Sequence, residues 1–333
     1  MSREKLGAQQ LHEALKGEIR KLRTGAKWTR WLDAAAVFHH YSFRNIILIT
    51  LQMPQATWVA GYDGWKKLGR QVMKDQKGIR ILAPIFARRP RPSTDVPVEV
   101  GIDPQPGPGR ERGRLIGFKV ATVFDVTQTS GPPIPRLPQS APIVGPAPKG
   151  LWEALANEVD AAGFTLGRAK IRDGRLDGYT DHLERQIVVS DSLDDVTAVA
   201  RLAHEVAHMR MHDPDEIAAA GSIMCRGIRE VEAESVAYVL LAHHGLSTGG
   251  SSFRYVAGWA STVNKEEPEK VVELTGARAI AVARHLIEST DRHMMGGRAR
   301  SHRSPQPEAA VADLADYRRD RSLSDPADDR LGL

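Results

Sequence analysis

The segment His204-Glu205-Val206-Ala207-His208 sets two imidazoles four residues apart with a carboxylate beside the first. On a helix, residues i and i+4 share a face one turn apart. Both imidazoles can then reach one cation, and Glu205 is placed to act as general base on water at that cation. The surrounding residues support a helix: Val196, Val199, Leu202, Ala203, Val206 and Ala207 form an apolar stripe that no proline interrupts. The expected chemistry is zinc-dependent peptide hydrolysis, with Zn2+ held by His204 and His208 and Glu205 as the catalytic residue.

A catalytic zinc site takes a third protein ligand and leaves one position open. Some 22 residues past His208 the chain reads Arg229-Glu230-Val231-Glu232-Ala233-Glu234-Ser235. Glu230 and Glu234 are again i and i+4. Glu230 is expected to be the third metal ligand, and Glu234 to orient an imidazole by accepting its free N–H. Glu232 falls elsewhere on the helix and is expected to be a solvated surface charge. His212, at i+8 from His204 with no intervening glycine, does not fit the three-histidine pattern. An outward-facing or hydrogen-bonded role suits it better. Tyr179, Tyr238, His243 and His244 are candidates, by residue type alone, for stabilising a developing oxyanion.

These residues need elements to position them. Helices are expected over residues 3–23, 28–39, 42–52, 151–162, 228–243 and 267–287, with a short one ending at Leu68. Strands are expected over residues 79–85, 115–126, 164–171 and 187–190, and the metal-binding helix should be capped near Asp191 or Ser192. Residues 88–114, rich in Pro, Gly and charge, read as a hairpin insertion. Residues 130–150 carry seven prolines and read as a stiff linker. The polar residues after Asp291 read as a tail, with a short helix near residues 308–317. The expected class is α+β: a helical N-terminal domain with a small β-sheet (1–130), a Pro-rich linker (131–150), a zincin-like metallopeptidase domain (151–290) and a polar tail (291–333).

The 333 residues suffice for two domains, and no apolar run approaches the ~20 residues that span a bilayer. No membrane partner is expected. A lone cysteine, Cys225, excludes an internal disulfide framework and suits a reducing cytoplasm; it is expected to be a small core residue. The net charge of +5 conceals a division. Residues 1–150 hold 24 Lys and Arg against 11 Asp and Glu (+13), and the remainder is −8. Such asymmetry points to a polyanion partner for the first half. Aromatic residues interleave with the cations there: Trp28, Trp31, Tyr41, Trp58, Tyr62 and Trp65 among Lys27, Arg30, Arg44, Lys66, Lys67, Arg70, Lys74 and Lys77. Rings that stack bases and cations that track phosphates make a single-stranded DNA groove, although at least half of the tryptophans are expected in the core.

Several stretches resemble a known family. Phe38-His39-His40-Tyr41-Ser42-Phe43-Arg44-Asn45, Gln52 to Tyr62, Gly69, Lys77-Gly78-Ile79, Ile81-Leu82-Ala83-Pro84 and Val123-Phe124-Asp125-Val126-Thr127-Gln128-Thr129 are similar to the N-terminal domain of ArdC-like antirestriction proteins, over most of residues 8–132. The C-terminal part resembles the zincin-type peptidase domain that accompanies it, related to ImmA/IrrE peptidases. The resemblance implies single-stranded DNA binding by the first domain and a zinc-peptidase fold for the second. It further implies carriage on plasmids or phages and protection of incoming DNA from restriction. The family's ligand pattern falls on His204, His208 and Glu230. The protein substrate is not implied. Two other readings are a DNA-masking protein with a structural zinc, and a regulatory peptidase that cleaves a repressor.

Overall fold

The structure is a computed structural model that describes residues 8–86, 115–133, 147–171, 176–215, 226–246, 264 and 266–296. The expected insertion, most of the linker, Cys225 and residues 297–333 of the expected tail, with its short helix, lie outside the described residues. The fold is α+β. Its first part holds α1 (Ala8–Lys21), α2 (Gly25–Val37) and α3 (Phe43–Gln52), then β1 (Val59–Ala60), α4 (Tyr62–Lys67), β2 (Gln71–Val72), β3 (Ile79–Phe86), β4 (Leu115–Asp125) and β5 (Thr129–Ser130). Its second part holds α5 (Leu151–Ala161), β6 (Thr165–Ala169), β7 (Gly178–Asp181), β8 (Gln186–Ser190), α6 (Asp195–Met211), α7 (Arg226–His243) and α8 (Pro268–Met294).

The first sheet has the order β1-β4-β3, with β3 and β4 antiparallel and Ile79 opposite Val123. β3 is therefore an edge strand whose outward N–H and C=O groups need partners. Two side chains of α3 supply them. Asn45 exchanges two hydrogen bonds of 2.9 Å with the backbone of Leu82, and Gln52 does the same with Arg80 at 2.8 and 2.9 Å. Asn45 and Gln52 sit two turns apart on one helix face, and residues 80 and 82 point their backbone groups to one side of the strand. Asp125, fully buried, joins the far end of the sheet. Its carboxylate accepts from the backbone N–H of Thr57 (2.8 Å), Trp58 (3.1 Å) and Thr127 (2.9 Å). Gln128 accepts from the Asp125 N–H and donates to the Lys77 carbonyl.

The second sheet has the order β6-β8-β7, with β6 parallel and β7 antiparallel to β8. β7 has no counterpart in the expected strands, because Gly178-Tyr179-Thr180-Asp181 lacks apolar alternation. α6 packs on this sheet, and α7 lies against α6, α8 and α2. The helix cap differs from expectation. Asp194 caps α6 by accepting from the Thr197 N–H at 2.8 Å. α8 runs seven residues past its expected end at Ile287, to Met294.

The two parts share one apolar core. The Trp28 indole donates to the Ser235 hydroxyl at 2.9 Å. Arg284 of α8 donates to the carbonyls of His39 (2.7 Å) and Tyr41 (3.0 Å). A Cβ at Gly276 would lie 2.2 Å from the Phe43 ring, so a residue without a side chain lets α8 approach α3 this closely. Burial first, and then the neighbouring His40 and His243, lower the His39 imidazole to about 2; it packs at this junction as a neutral ring. Among the described residues, no helix is long and apolar enough to cross a membrane.

Candidate metal centre

α6 carries His204, Glu205 and His208, and α7 carries Glu230 and Glu234. The Nε2 atoms of His204 and His208 are 3.0 Å apart. One Glu230 carboxylate oxygen lies 3.6 Å from the first and 3.7 Å from the second. Bonds of ~2.1 Å at tetrahedral angles separate ligand atoms by about 3.4 Å, so this triangle has the size of a tetrahedral face. The other ring nitrogens are already engaged. His204 Nδ1 is 3.2 Å from the Glu234 carboxylate, and His208 Nδ1 is 2.9 Å from His212 Nδ1. Such outer contacts aim the Nε2 lone pairs inward. Two imidazoles and a carboxylate are a donor set suited to zinc and its neighbours, and the residues fit the ion.

Glu205 is buried and belongs to the wall of a cleft of about 540 Å³. The Thr180 hydroxyl of β7 donates to its carboxylate at 2.9 Å, and Arg201 stands 3.7 Å from the other oxygen. Tyr179, His182, Arg229 and Glu230 also line this cleft. The sequence reading missed Thr180, His182 and Arg201. Arg201 had a local signal, since it precedes Glu205 by four residues on the same helix. Thr180 and His182 had none, because β7 and the turn after it reach α6 only through the fold.

Glu232 requires a correction. It is 1 % exposed, not a solvated charge. α7 packs against three helices, so a residue off the Glu230 face still points into protein. Its carboxylate lies 3.0 Å from His212 Nε2 and 3.3 Å from Arg278 Nε. Burial raises the Glu232 carboxyl to about 7, although Arg278 pulls it down. His212 is buried and hydrogen-bonded, and joins His208 to Glu232. Burial first, then the charges of His208, Arg278 and Arg229, lower it to about 2. Of the oxyanion candidates, Tyr179 reaches the cleft. Tyr238 donates to Asp33 on α2 at 2.5 Å, and His243 and His244 sit at the opposite end of α7.

Burial by itself would lower the His204 imidazole. Hydrogen bonds donated to the Glu230 and Glu234 carboxylates and the charge of Glu205 outweigh that and raise it to about 9, while the two imidazoles hold Glu230 well below the usual carboxylate range. A metal ion needs the neutral imidazole, so loading near neutral pH must displace the His204 proton. Apparent zinc affinity should therefore rise about tenfold per pH unit until the pH nears 9. Calorimetric titration in buffers of different ionisation enthalpy reads the proton directly, and a pH-independent affinity would refute the assignment. The sign for the metal-free protein is the reverse. Its His204 pairing stabilises the fold fully below pH 6.5 and is lost as the pH rises through about 9.

The expected DNA-binding residues divide. Trp28, Trp31, Tyr41 and Trp65 are at most 4 % exposed. They are core residues with no face for a base, and the expected stacking role is corrected accordingly. Trp58 is half-buried, and Tyr62 is 50 % exposed. Arg44 pairs with Glu273. Arg70 is a structural clamp, with its guanidinium donating to the Thr129 hydroxyl (2.8 Å), the Thr129 carbonyl (2.9 Å) and the Gly131 carbonyl (3.0 Å). Lys27, Arg30, Lys66, Lys67, Lys74 and Lys77 are exposed. Phe118 on β4 is also 50 % exposed.

Comparison with known proteins finds two matching domain families. Residues 9–124 match the N-terminal domain of anti-restriction factor ArdC, and residues 163–246 match the IrrE N-terminal-like domain. An uncharacterized protein of Bacillus anthracis is 27 % identical over 258 residues, which is 71 % of this chain and 43 % of that protein; the chain spans less than half of its length. The metal-free crystal structure of the antirestriction ArdC protein from the R388 plasmid aligns with a TM-score of 0.48 at 19 % identity, covering 76 % of this chain and 85 % of that one. The Mn(II)-bound structure of the same protein gives 0.47 at 18 %, covering 75 % and 84 %. Residues 9–124 are thus similar to the N-terminal domain of anti-restriction factor ArdC, and residues 163–246 to the IrrE N-terminal-like domain.

Proposed function

We propose that this protein is a zinc-dependent endopeptidase fused to a single-stranded DNA-binding antirestriction module, acting in the cytoplasm to protect incoming plasmid or phage DNA. The observation that carries the peptidase reading is the triangle of His204, His208 and Glu230 with Glu205 beside it in the cleft wall. When bound, zinc supplies Lewis acidity, polarising a carbonyl and acidifying water. Glu205 takes the proton from the attacking water and returns it to the leaving amine. Thr180 and Arg201 keep its carboxylate turned toward the cleft. Glu234 and His212 fix the rings of His204 and His208.

The DNA reading rests on the charge division and on the exposed lysines of residues 66–77. With four aromatic residues in the core, the interface is more a phosphate track than a stacking groove, with Tyr62 as the exposed ring within it. Four lysine contacts give a slope of about −3 for log affinity against log salt on single strands. Replacing Lys66, Lys67, Lys74 and Lys77 together with Gln should flatten that slope toward zero. Fluorescence anisotropy across a salt series, on single-stranded and duplex oligonucleotides, reads both. Equal or tighter binding to duplex, or an unchanged slope in the variant, would discredit the module.

A further inference from the structure

The far end of α7 carries a second group of metal-type donors. Along the helix, His243 lies about 20 Å from Glu230 at 1.5 Å per residue, well away from the cleft. His243, His244 and Asp291 each offer one donor atom, and the three atoms lie within 4.8 Å of one another. His243 Nε2 is 3.2 Å from a carboxylate oxygen of Asp291. His243 ends α7 and Asp291 lies in the last turn of α8, so two helix C-termini converge here. The C-terminal ends of both helices carry partial negative charge, which favours a cation. The His39 ring packs 4.9 Å from that of His243, with His40 3.9 Å from His39, so the cluster lies where the N-terminal helices meet α7 and α8.

The hydrogen bonds also fix one tautomer. The Thr290 hydroxyl donates within its own helix, to the Leu286 carbonyl at 2.8 Å. Its oxygen is then the acceptor for His244 Nε2, also 2.8 Å away. With the ring proton on Nε2, His244 Nδ1 keeps its lone pair, the arrangement in which an outer hydrogen bond orients a metal-binding imidazole. A side-chain network serving packing alone would account for the His243–Asp291 pair. It would not require a third donor within the same few ångströms.

We infer that His243, His244 and Asp291 form a second site for a divalent transition metal of the zinc–cobalt–nickel class, which ties the C-terminal ends of α7 and α8 together beneath the N-terminal helices. Two imidazoles and one carboxylate select such ions over calcium or magnesium. This site is independent of the peptidase reading, because none of its ligands touches the cleft.

The test uses the full chain carrying His204→Ala and His208→Ala, so that the first centre cannot contribute. After dialysis against zinc, this double variant should retain about one equivalent by elemental analysis. Cobalt in its place should give the visible bands of low-coordinate Co(II), and either ion should raise the melting temperature. Adding Asp291→Asn and His244→Gln, which nearly keep side-chain size, should remove the metal, the bands and the melting shift together. Their melting temperature without metal, compared with that of the parent, checks the fold. No bound metal in the double variant would overturn the inference, as would bound metal that survives both added substitutions. Zinc lost from wild type only at the first centre would count against the peptidase reading and leave this one standing.

Discussion

Glu205→Gln should lower cleavage of an unfolded protein such as casein by about 10²–10⁴-fold, the range that a positioned general base contributes. Bound metal and melting temperature should stay close to wild type. Glutamine keeps the volume of the side chain in its buried place, and its amide oxygen can still accept from the Thr180 hydroxyl, which is 2.9 Å from the carboxylate. It cannot take a proton from water. Arg201 loses an ionic neighbour at 3.7 Å, but it keeps Asp177 at 3.5 Å, so the structural cost is small. The three donor atoms of the metal triangle belong to other residues. Loss of activity with loss of metal would point to damage and not to chemistry, and activity equal to wild type would remove Glu205 from the mechanism.

Glu230→Ala should weaken zinc binding by more than about 100-fold, because the loss of even an outer hydrogen-bond partner typically costs ~10–100-fold. Alanine leaves the facing Nε2 atoms of His204 and His208, 3.0 Å apart, without the oxygen that completes their triangle. Glu234→Gln should do less, about 10–100-fold, since it acts only by orienting His204 through Nδ1 at 3.2 Å. Competition with a chromophoric chelator ranks the two. If Glu234→Gln were the more damaging, the two carboxylates would have to exchange roles.

The candidate metal ligands were legible as a cluster because their signal is local. His204 and His208, and again Glu230 and Glu234, are each one turn apart, so the helix period alone brings each pair to one face. What joins the two pairs is the packing of α6 on α7, and no spacing encodes it. Glu232 was misread for a related reason. The rule that a helix keeps one solvent face fails when the helix is wrapped by α2, α6 and α8. The tryptophans show a third kind of limit. Lys27 and Arg30 alternate with Trp28 and Trp31 along the chain, which resembles a binding groove. On α2 both cations are exposed and both rings are buried, which is ordinary amphipathicity. The rings are buried because the helices of the two halves share one core, through contacts such as Trp28 with Ser235, 207 residues apart.

The stretches that resemble the ArdC N-terminal domain acquire a physical meaning in the fold. Asn45 and Gln52 cover the edge of β3, and Asp125 with Gln128 fastens two loops to β4. Both motifs stabilise the scaffold of the first domain. Neither presents a base-reading surface, so the proposed DNA contact would fall to the exposed cations.

Anomalous diffraction from zinc-loaded crystals, recorded on both sides of the zinc absorption edge, tests the central claim most directly. The account predicts a strong peak enclosed by His204, His208 and Glu230, with its remaining side open to the cleft beside Glu205. A zinc-loaded crystal with no density there, or with Glu230 turned away from the ion, would contradict it.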